Sequence, residues 1–201
     1  MARNVFFSFD YDDIMAVNVV RNSNVVLPEN RSLPFRDKSL YEEAKKTEGA
    51  IKRAIDKSID GTTVTVVLVG AFTWRSSWVR YEIAKSLERG NGIFVVDIDG
   101  VGPDPKPTKG PSPLDNMMAA PWHDGTAFNV WEWNGRNQYV EFSMLPTVKN
   151  ATARYPTSFV TGDAYQLSAK FNIRLGWALA SLYFPSTIEQ AAEQAGFGST
   201  N

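Results

Sequence analysis

A tryptophan and a glutamate, Trp78 and Glu82, stand four residues apart in a stretch of helical periodicity. Residues at this spacing share one face of a helix. That face lies beside an apolar stripe formed by Val79, Ile83 and Leu87, close to the predicted core. A carboxylate that is partly desolvated and rigidly held can orient a sugar and stabilise positive charge developing on it.

A solvated ion pair is the alternative interpretation of Glu82. Lys85 and Arg89 follow on the same predicted helix, and either could pair with an exposed glutamate. Such surface pairs contribute little to stability and carry no chemistry. Spacing alone favours this second interpretation, so position 82 needs further support.

Other common chemistries lack their residues. The sole histidine, His123, lies in a turn-like run, so neither a Ser-His-acid triad nor a paired-histidine zinc site is supported, and no metal site is expected. The chain has neither G-x-G-x-x-G after a strand nor a P-loop. A phosphoacceptor receiver domain would need an aspartate where the central strand ends, and Gly70 stands there.

The bulk composition is that of a globular protein. The chain has 201 residues, a net charge of −1 and no cysteine, so disulfides are excluded and a cytoplasmic location is expected. The balanced charge predicts no affinity for nucleic acid or an anionic membrane. The N-terminus lacks signal-peptide features, and the most apolar late stretch, 177–184, is far shorter than the roughly 20 residues that cross a bilayer.

The first half of the chain alternates strands and helices. Apolar β-branched or aromatic runs predict buried strands at 5–9, 64–70 and 93–98. Helices are predicted over 13–22 and 78–89, and a third begins at Ser39 in a capping box and carries an isoleucine stripe to residue 59. This order predicts an α/β fold with a central parallel sheet and helices on both faces.

The second half is predicted to be an extension of the same single domain, with the α/β core at 1–100 and the extension at 101–201. A proline-rich surface loop occupies 100–113. Residues 128–133 and 139–142 flank an Asn-Gly turn and predict a hairpin. A late apolar helix is predicted over 164–184, with 177–184 buried.

Three loops are expected to meet where chemistry is most favourable. Open parallel sheets bind ligands beyond the carboxyl ends of their strands. The loops 10–13, 70–77 and 97–101 follow the three predicted strands. We therefore expect the candidate site to lie among them.

Several runs, in this order, resemble TIR domains, a flavodoxin-like fold. They are 5–9, the helix after Ser39, 64–70 and 77–83, and the last contains the W-x-x-x-E pattern of Trp78 and Glu82. A more detailed resemblance is to the ThsB family, the TIR-like proteins of bacterial Thoeris anti-phage defence. It is carried by 5–11, 17–22, 43–47, 78–83 and 90–94, is strongest over 1–100 and continues more loosely to the late helix.

The resemblance implies an enzyme that cleaves NAD⁺ as its substrate, without another cofactor, and forms a cyclic ADP-ribose isomer. In that family the product activates a separate effector protein, and a phage-derived trigger starts the reaction. Homo-oligomers are common among TIR enzymes. The loop 25–34 lacks the R-D-x-x-P-G pattern of receptor TIR domains, so receptor-type assembly is not expected here.

The resemblance also implies roles for individual residues. Glu82 is the expected catalytic residue. The expected substrate-binding residues lie at the end of the first strand, at the start of the second helix and around the catalytic helix, and they are Ser8, Phe9, Asp10, Tyr11, Asp13, Ser39, Trp74 and Trp78. From the residues alone, Ser39 is equally a helix cap, Asp12 and Asp13 are candidates for capping the first helix, and Phe9 is a core residue.

Nicotinamide is already a cationic leaving group in NAD⁺, so cleavage needs stabilisation of an oxocarbenium-like ribose more than a strong acid. Two other functions stay open. One is a non-enzymatic TIR interaction module. The other is a nucleoside deoxyribosyltransferase-like enzyme, which also places a carboxylate at the anomeric carbon of a sugar.

Overall fold

A parallel sheet lies at the centre of the chain. The computed structural model describes residues 3–23, 47–102, 110–152 and 154–198. The sheet has the order β1-β2-β3-β9. Its strands are β1 (Val5–Ser8), β2 (Val64–Val69), β3 (Gly92–Asp97) and β9 (Arg174–Gly176). Every residue of β1, β2 and β3 is buried, which explains their continuous apolar sequence.

Helices cover both faces of this sheet, as the alternating sequence predicts. Val17 and Phe184 belong to the helices on one face, and Ile55 and Val79 to those on the other. The helices, numbered in chain order, are α1 (Ile14–Asn22), α2 (Glu48–Ile59), α3 (Ser77–Arg89), α4 (Thr157–Val160), α5 (Leu167–Lys170) and α6 (Trp177–Gln194). The α/β, TIR-like architecture is confirmed. Among the described residues, no helix is both long enough and apolar enough to cross a bilayer.

The second half of the chain contributes an antiparallel sheet. The predicted hairpin is confirmed, because β5 pairs with β6 and Trp133 lies opposite Tyr139. The strands are β4 (Met117–Pro121), β5 (Ala127–Trp133), β6 (Tyr139–Glu141), β7 (Thr147–Lys149) and β8 (Tyr165–Gln166). Phe128 and Val130 of β5 share one hydrophobic core with Val79 and Leu87 of α3. Helix α3 is thereby held between the two sheets.

The late helix predicted over 164–184 is wrong in its position. Residues 165–176 form β8, α5 and β9, and the helix runs over Trp177–Gln194. The reason is tertiary, because Arg174 and Leu175 pair with Val95 and Val96 of β3 and so become a strand. The expectation that 177–184 is buried is also wrong. Phe184 stacks on Phe7 with ring centroids 6.0 Å apart, whereas Leu182 is 72% exposed.

The helix that carries the isoleucine stripe starts later than predicted. Thr47 has an extended backbone and its hydroxyl accepts a hydrogen bond from the Ala50 amide at 3.2 Å, so α2 begins at Glu48. Ser39, where the sequence predicted the start, lies outside the described residues. The next helix, α3, ends where the sequence predicts, because Gly90 after it adopts the left-handed conformation (φ 70°).

Replacing Thr47 with alanine is expected to lower the free energy of unfolding by about 1 kcal/mol. The change removes the side-chain acceptor at the N-terminus of α2, and the Ala50 amide is left with the Thr47 carbonyl oxygen as its acceptor. Urea denaturation followed by far-UV circular dichroism measures the effect. A loss below about 0.3 kcal/mol would contradict the cap assignment.

Candidate active site

The three loops predicted to meet do lie together at the carboxyl edge of the parallel sheet. Thr73, in the loop after β2, donates a hydrogen bond to Asp13, in the loop after β1, at 2.8 Å. The loop after β3 reaches the same edge, since a Cβ built on Gly102 would lie 3.6 Å from Cα of Ala16. Contacts between residues remote in sequence therefore assemble this edge.

Glu82 lies on α3 and is buried, with 2% of its surface exposed. The hydroxyl of Ser8, the last residue of β1, donates a hydrogen bond to Oε2 of Glu82, with an O–O distance of 2.6 Å. Ser8 itself is fully buried. The bond joins the helix to the strand end and holds one carboxylate oxygen in a defined place.

The solvated ion-pair interpretation of Glu82 is wrong. Lys85 forms ion pairs with Glu88 and Asp56. Arg89 pairs instead with Asp60, at 2.9 Å. Both cations therefore pair with carboxylates other than Glu82, which is buried.

The reason lies in the position of Glu82 around the helix. Its neighbours Tyr81, Ile83 and Ala84 are also buried, because α3 packs against the central sheet on one side and the antiparallel sheet on another. A helix enclosed in this way buries more than the narrow stripe that periodicity predicts. A buried carboxylate needs hydrogen-bond donors, and Ser8 is one.

Trp78 stands one turn before Glu82 and is partly buried. Its ring meets Tyr81 edge-on, with centroids 6.1 Å apart, and packs against the core. The hydroxyl of Tyr81 donates a hydrogen bond to Oδ1 of Asp56, on α2, at 3.4 Å. Burial, and then the Asp56 carboxylate, raise the pKa of Tyr81 above its ordinary value, so this phenol stays protonated as a donor. Trp78 thus belongs to a packed aromatic pair that steadies the turn carrying Glu82.

Asp13 joins two loops at the edge of the site. It is buried, and besides the hydrogen bond from Thr73 it lies against Gly70, where any Cβ would collide with its carboxylate. The Gly70 amide in turn donates to the Thr73 hydroxyl at 2.9 Å. The side chain of Asp13 makes no capping bond to α1, so the helix-cap interpretation is wrong for this residue. Thr73 was not among the predicted site residues, although a threonine three residues after a strand-ending glycine is a turn signal.

The other predicted binding residues are placed differently. Phe9 is partly buried against the core that includes Val17. Asp10 accepts a hydrogen bond from the Asp12 amide at 2.9 Å and so caps the short turn Tyr11–Asp13. Tyr11 and Trp74 are exposed, at 40% and 39%. Their roles in binding stay predictions, and Ser39 lies outside the described residues.

An arginine at the same edge escaped the sequence prediction, because Arg174 was assigned to a helix. Its guanidinium binds Asp97, the last residue of β3, through Nε at 3.1 Å to both carboxylate oxygens and Nη2 at 2.8 Å to one. The hydrogen bonds to Asp97 raise the pKa of Arg174 above its usual value.

Beside the Arg174–Asp97 pair lies a groove of about 390 Å³. It is lined by Asp97, Asp99, Gly100, Val101, Gly176, Trp177 and Ala178. Over the described residues, no cluster of His, Asp or Glu has the arrangement of a metal site.

Comparison with known proteins agrees with the TIR-like fold. The family model described as "Thoeris protein ThsB, TIR-like domain" matches residues 6–102, which include Ser8 and Glu82. Over 178 residues the chain is 38% identical to ThsB1 of Bacillus cereus (strain MSX-D12), covering 86% of this chain and 91% of that protein. The name of that relative ascribes to it a cyclic ADP-D-ribose synthase activity.

Proposed function

Because this chain belongs to the ThsB family of TIR-like Thoeris proteins, we propose that it is an enzyme that cleaves the nicotinamide–ribose bond of NAD⁺ and closes the remaining ADP-ribose into a cyclic isomer. The observation that carries this proposal is the buried Glu82 carboxylate, anchored by Ser8 at the carboxyl edge of the sheet. A relative named for cyclic ADP-D-ribose synthase activity, similar along most of the chain, supports the same reaction.

Glu82 stabilises the ribose as the bond to nicotinamide breaks. The C1′–N bond breaks with its electron pair, so nicotinamide leaves as a neutral molecule and positive charge develops on the sugar. A carboxylate in a protected site stabilises that charge far more than it would in water. Ser8 fixes the orientation of the Glu82 carboxylate, and the negative charge of that carboxylate is what acts on the ribose.

Cyclisation requires the dinucleotide to capture its own anomeric carbon before water does. An oxygen or nitrogen of the same molecule forms the new bond to C1′ and loses a proton. Enclosing the folded substrate gives that internal nucleophile a high effective concentration and excludes the competing water. The reaction uses NAD⁺ as its substrate and requires no other cofactor.

The cyclic product is a signal in this proposal. It diffuses to a separate effector protein, which responds during anti-phage defence. A phage-derived component triggers the reaction, and the protein acts in the cytoplasm, where NAD⁺ is present. Association of several copies completes the working enzyme.

Product analysis tests the proposal. The purified protein is incubated with NAD⁺, with and without extract from phage-infected cells, and the products are identified by mass spectrometry and NMR. Nicotinamide together with a cyclic ADP-ribose isomer is the expected result. Intact NAD⁺ in both conditions would contradict the proposal and favour an interaction module. Intact NAD⁺ together with base exchange on added nucleosides would favour the deoxyribosyltransferase-like function.

A further inference from the structure

The segment 110–116 forms a wall along the loop that leads into α3. A Cβ built on Gly110 would lie 2.6 Å from the carbonyl oxygen of Gly70 and 3.2 Å from Cδ1 of Trp74, so the two backbones touch. Leu114 is buried in the same core as Val79 of α3. The short turns Pro113–Asn116 and Thr73–Arg75 are also in contact. Segment 110–116 thus lies against the loop that precedes α3, the helix that carries Glu82.

Arg174 fastens this wall to the sheet. Besides its bonds to Asp97, its Nη2 donates to the carbonyl oxygen of Gly110 at 3.2 Å, and its Nη1 lies 3.6 Å from Asp115. Val95 of β3 is the register partner of Arg174. From there the side chain reaches two residues further along β3, to Asp97 at the carboxyl edge. One guanidinium therefore connects two strands and both ends of segment 110–116.

The surroundings of Arg174 suit a clamp better than a site for the phosphates of a substrate. Asp97, Asp99 and Asp115 all act electrostatically on the guanidinium. Its donors are directed at a carboxylate and a backbone carbonyl, in the two-pronged geometry that gives arginine its positional accuracy. An approaching phosphate would meet three carboxylates around a single cation.

We propose that Arg174 is a positioning residue that holds segment 110–116 against the Gly70 loop, so that water is kept from the ribose bound at Glu82. This inference rests on the proposed function. After nicotinamide leaves, an atom of the dinucleotide and a water oxygen compete to form the bond to C1′, and each loses a proton as it does so. The first outcome is the cyclic isomer and the second is linear ADP-ribose. Arg174 thereby sets the ratio of the two products.

Replacing Arg174 with glutamine is expected to raise the fraction of linear ADP-ribose at least about fivefold, and to raise the KM for NAD⁺ by about tenfold. The turnover rate for nicotinamide release changes much less, because Glu82 and Ser8 are untouched. Nicotinamide is measured by chromatography and the two ADP-ribose products by mass spectrometry, in the presence of infected-cell extract. A merely structural role would lower the amount of active enzyme without changing the product ratio.

Arg3 provides a matched control. It binds Glu189 through Nε and Nη2 at 3.1 and 2.9 Å and donates to the carbonyl oxygen of Gly198, so it resembles Arg174 in chemistry. It precedes β1 and therefore lies at the opposite edge of the sheet. Arg3→Gln is expected to leave the product ratio at the wild-type value.

A second variant keeps the inference testable should Arg174→Gln fail to fold. Gly110→Ala leaves the ion pair intact but pushes segment 110–116 away from Gly70, and it is expected to shift the products in the same direction. Wild-type ratios in the folded variants would overturn the role of Arg174 while leaving the proposed function standing. Wild-type protein that releases no nicotinamide would overturn both.

Discussion

Replacing Glu82 with glutamine is expected to slow the release of nicotinamide from NAD⁺ by about 10³-fold, equivalent to about 4 kcal/mol of lost transition-state stabilisation. The amide keeps an oxygen that accepts the Ser8 hydrogen bond but loses the negative charge opposite the ribose. The loss is therefore expected in kcat more than in KM, because the charge matters most when the sugar becomes cationic.

Glu88→Gln is the matched control for this variant. Glu88 lies on the same helix and is paired with Lys85, on the side away from the site. Its loss is expected to leave NAD⁺ cleavage unchanged. Steady-state kinetics at saturating NAD⁺ compare the two variants, and circular dichroism establishes that both are folded. Full activity in Glu82→Gln would remove Glu82 from the mechanism.

Replacing Ser8 with alanine is expected to lower kcat by about 10- to 100-fold. The Ser8 hydroxyl donates the hydrogen bond that positions Oε2 of Glu82. Without it, the carboxylate loses a contact that fixes its orientation, so the geometry that the ribose requires is held less tightly. The buried position makes the variant less stable as well, by about 1–3 kcal/mol, because a carboxylate with 2% exposure loses a hydrogen bond.

Thr65→Val separates the two effects of the Ser8 change. Thr65 is also a fully buried hydroxyl on the central sheet, bonded to Ser86 at 2.7 Å, but it lies near the start of β2, away from the carboxyl edge. Its removal is expected to lower stability by a similar amount and to leave kcat within about twofold. Urea denaturation and NAD⁺ kinetics measure both quantities. Equal kcat losses in the two variants would indicate that Ser8 acts only through stability.

Local patterns sufficed for the central part of the fold. Strands buried on both faces must be apolar throughout, so β1, β2 and β3 are visible as runs of Val, Ile, Leu and Phe. Helix α3 is recognisable from Val79, Ile83 and Leu87 and from the glycine that ends it. The hairpin of β5 and β6 follows from alternation around an Asn-Gly turn.

Local patterns failed where a segment owes its conformation to a distant partner. Residues 174–176 read as part of an apolar helix, yet they form a strand because β3 offers them an edge to pair with. The isoleucine stripe likewise predicts the body of α2 but not its start, because the extended backbone of Thr47 places the first helical residue at Glu48. Periodicity predicted the buried stripe of α3 but not the burial of Glu82 between two sheets.

The amino-acid sequence was enough to predict the α/β architecture and the edge of the sheet at which the loops meet, because both follow from strands and helices that are recognisable over a few neighbouring residues. Glu82 became the catalytic candidate through the resemblance to TIR domains, since its spacing alone favoured a solvated ion pair. Only the tertiary structure decided that Ser8, 74 residues distant, holds that carboxylate, that Thr73 binds Asp13, and that Arg174 clamps segment 110–116. These contacts form when the chain folds back on itself, and local residue spacing carries no information about which distant side chains will meet.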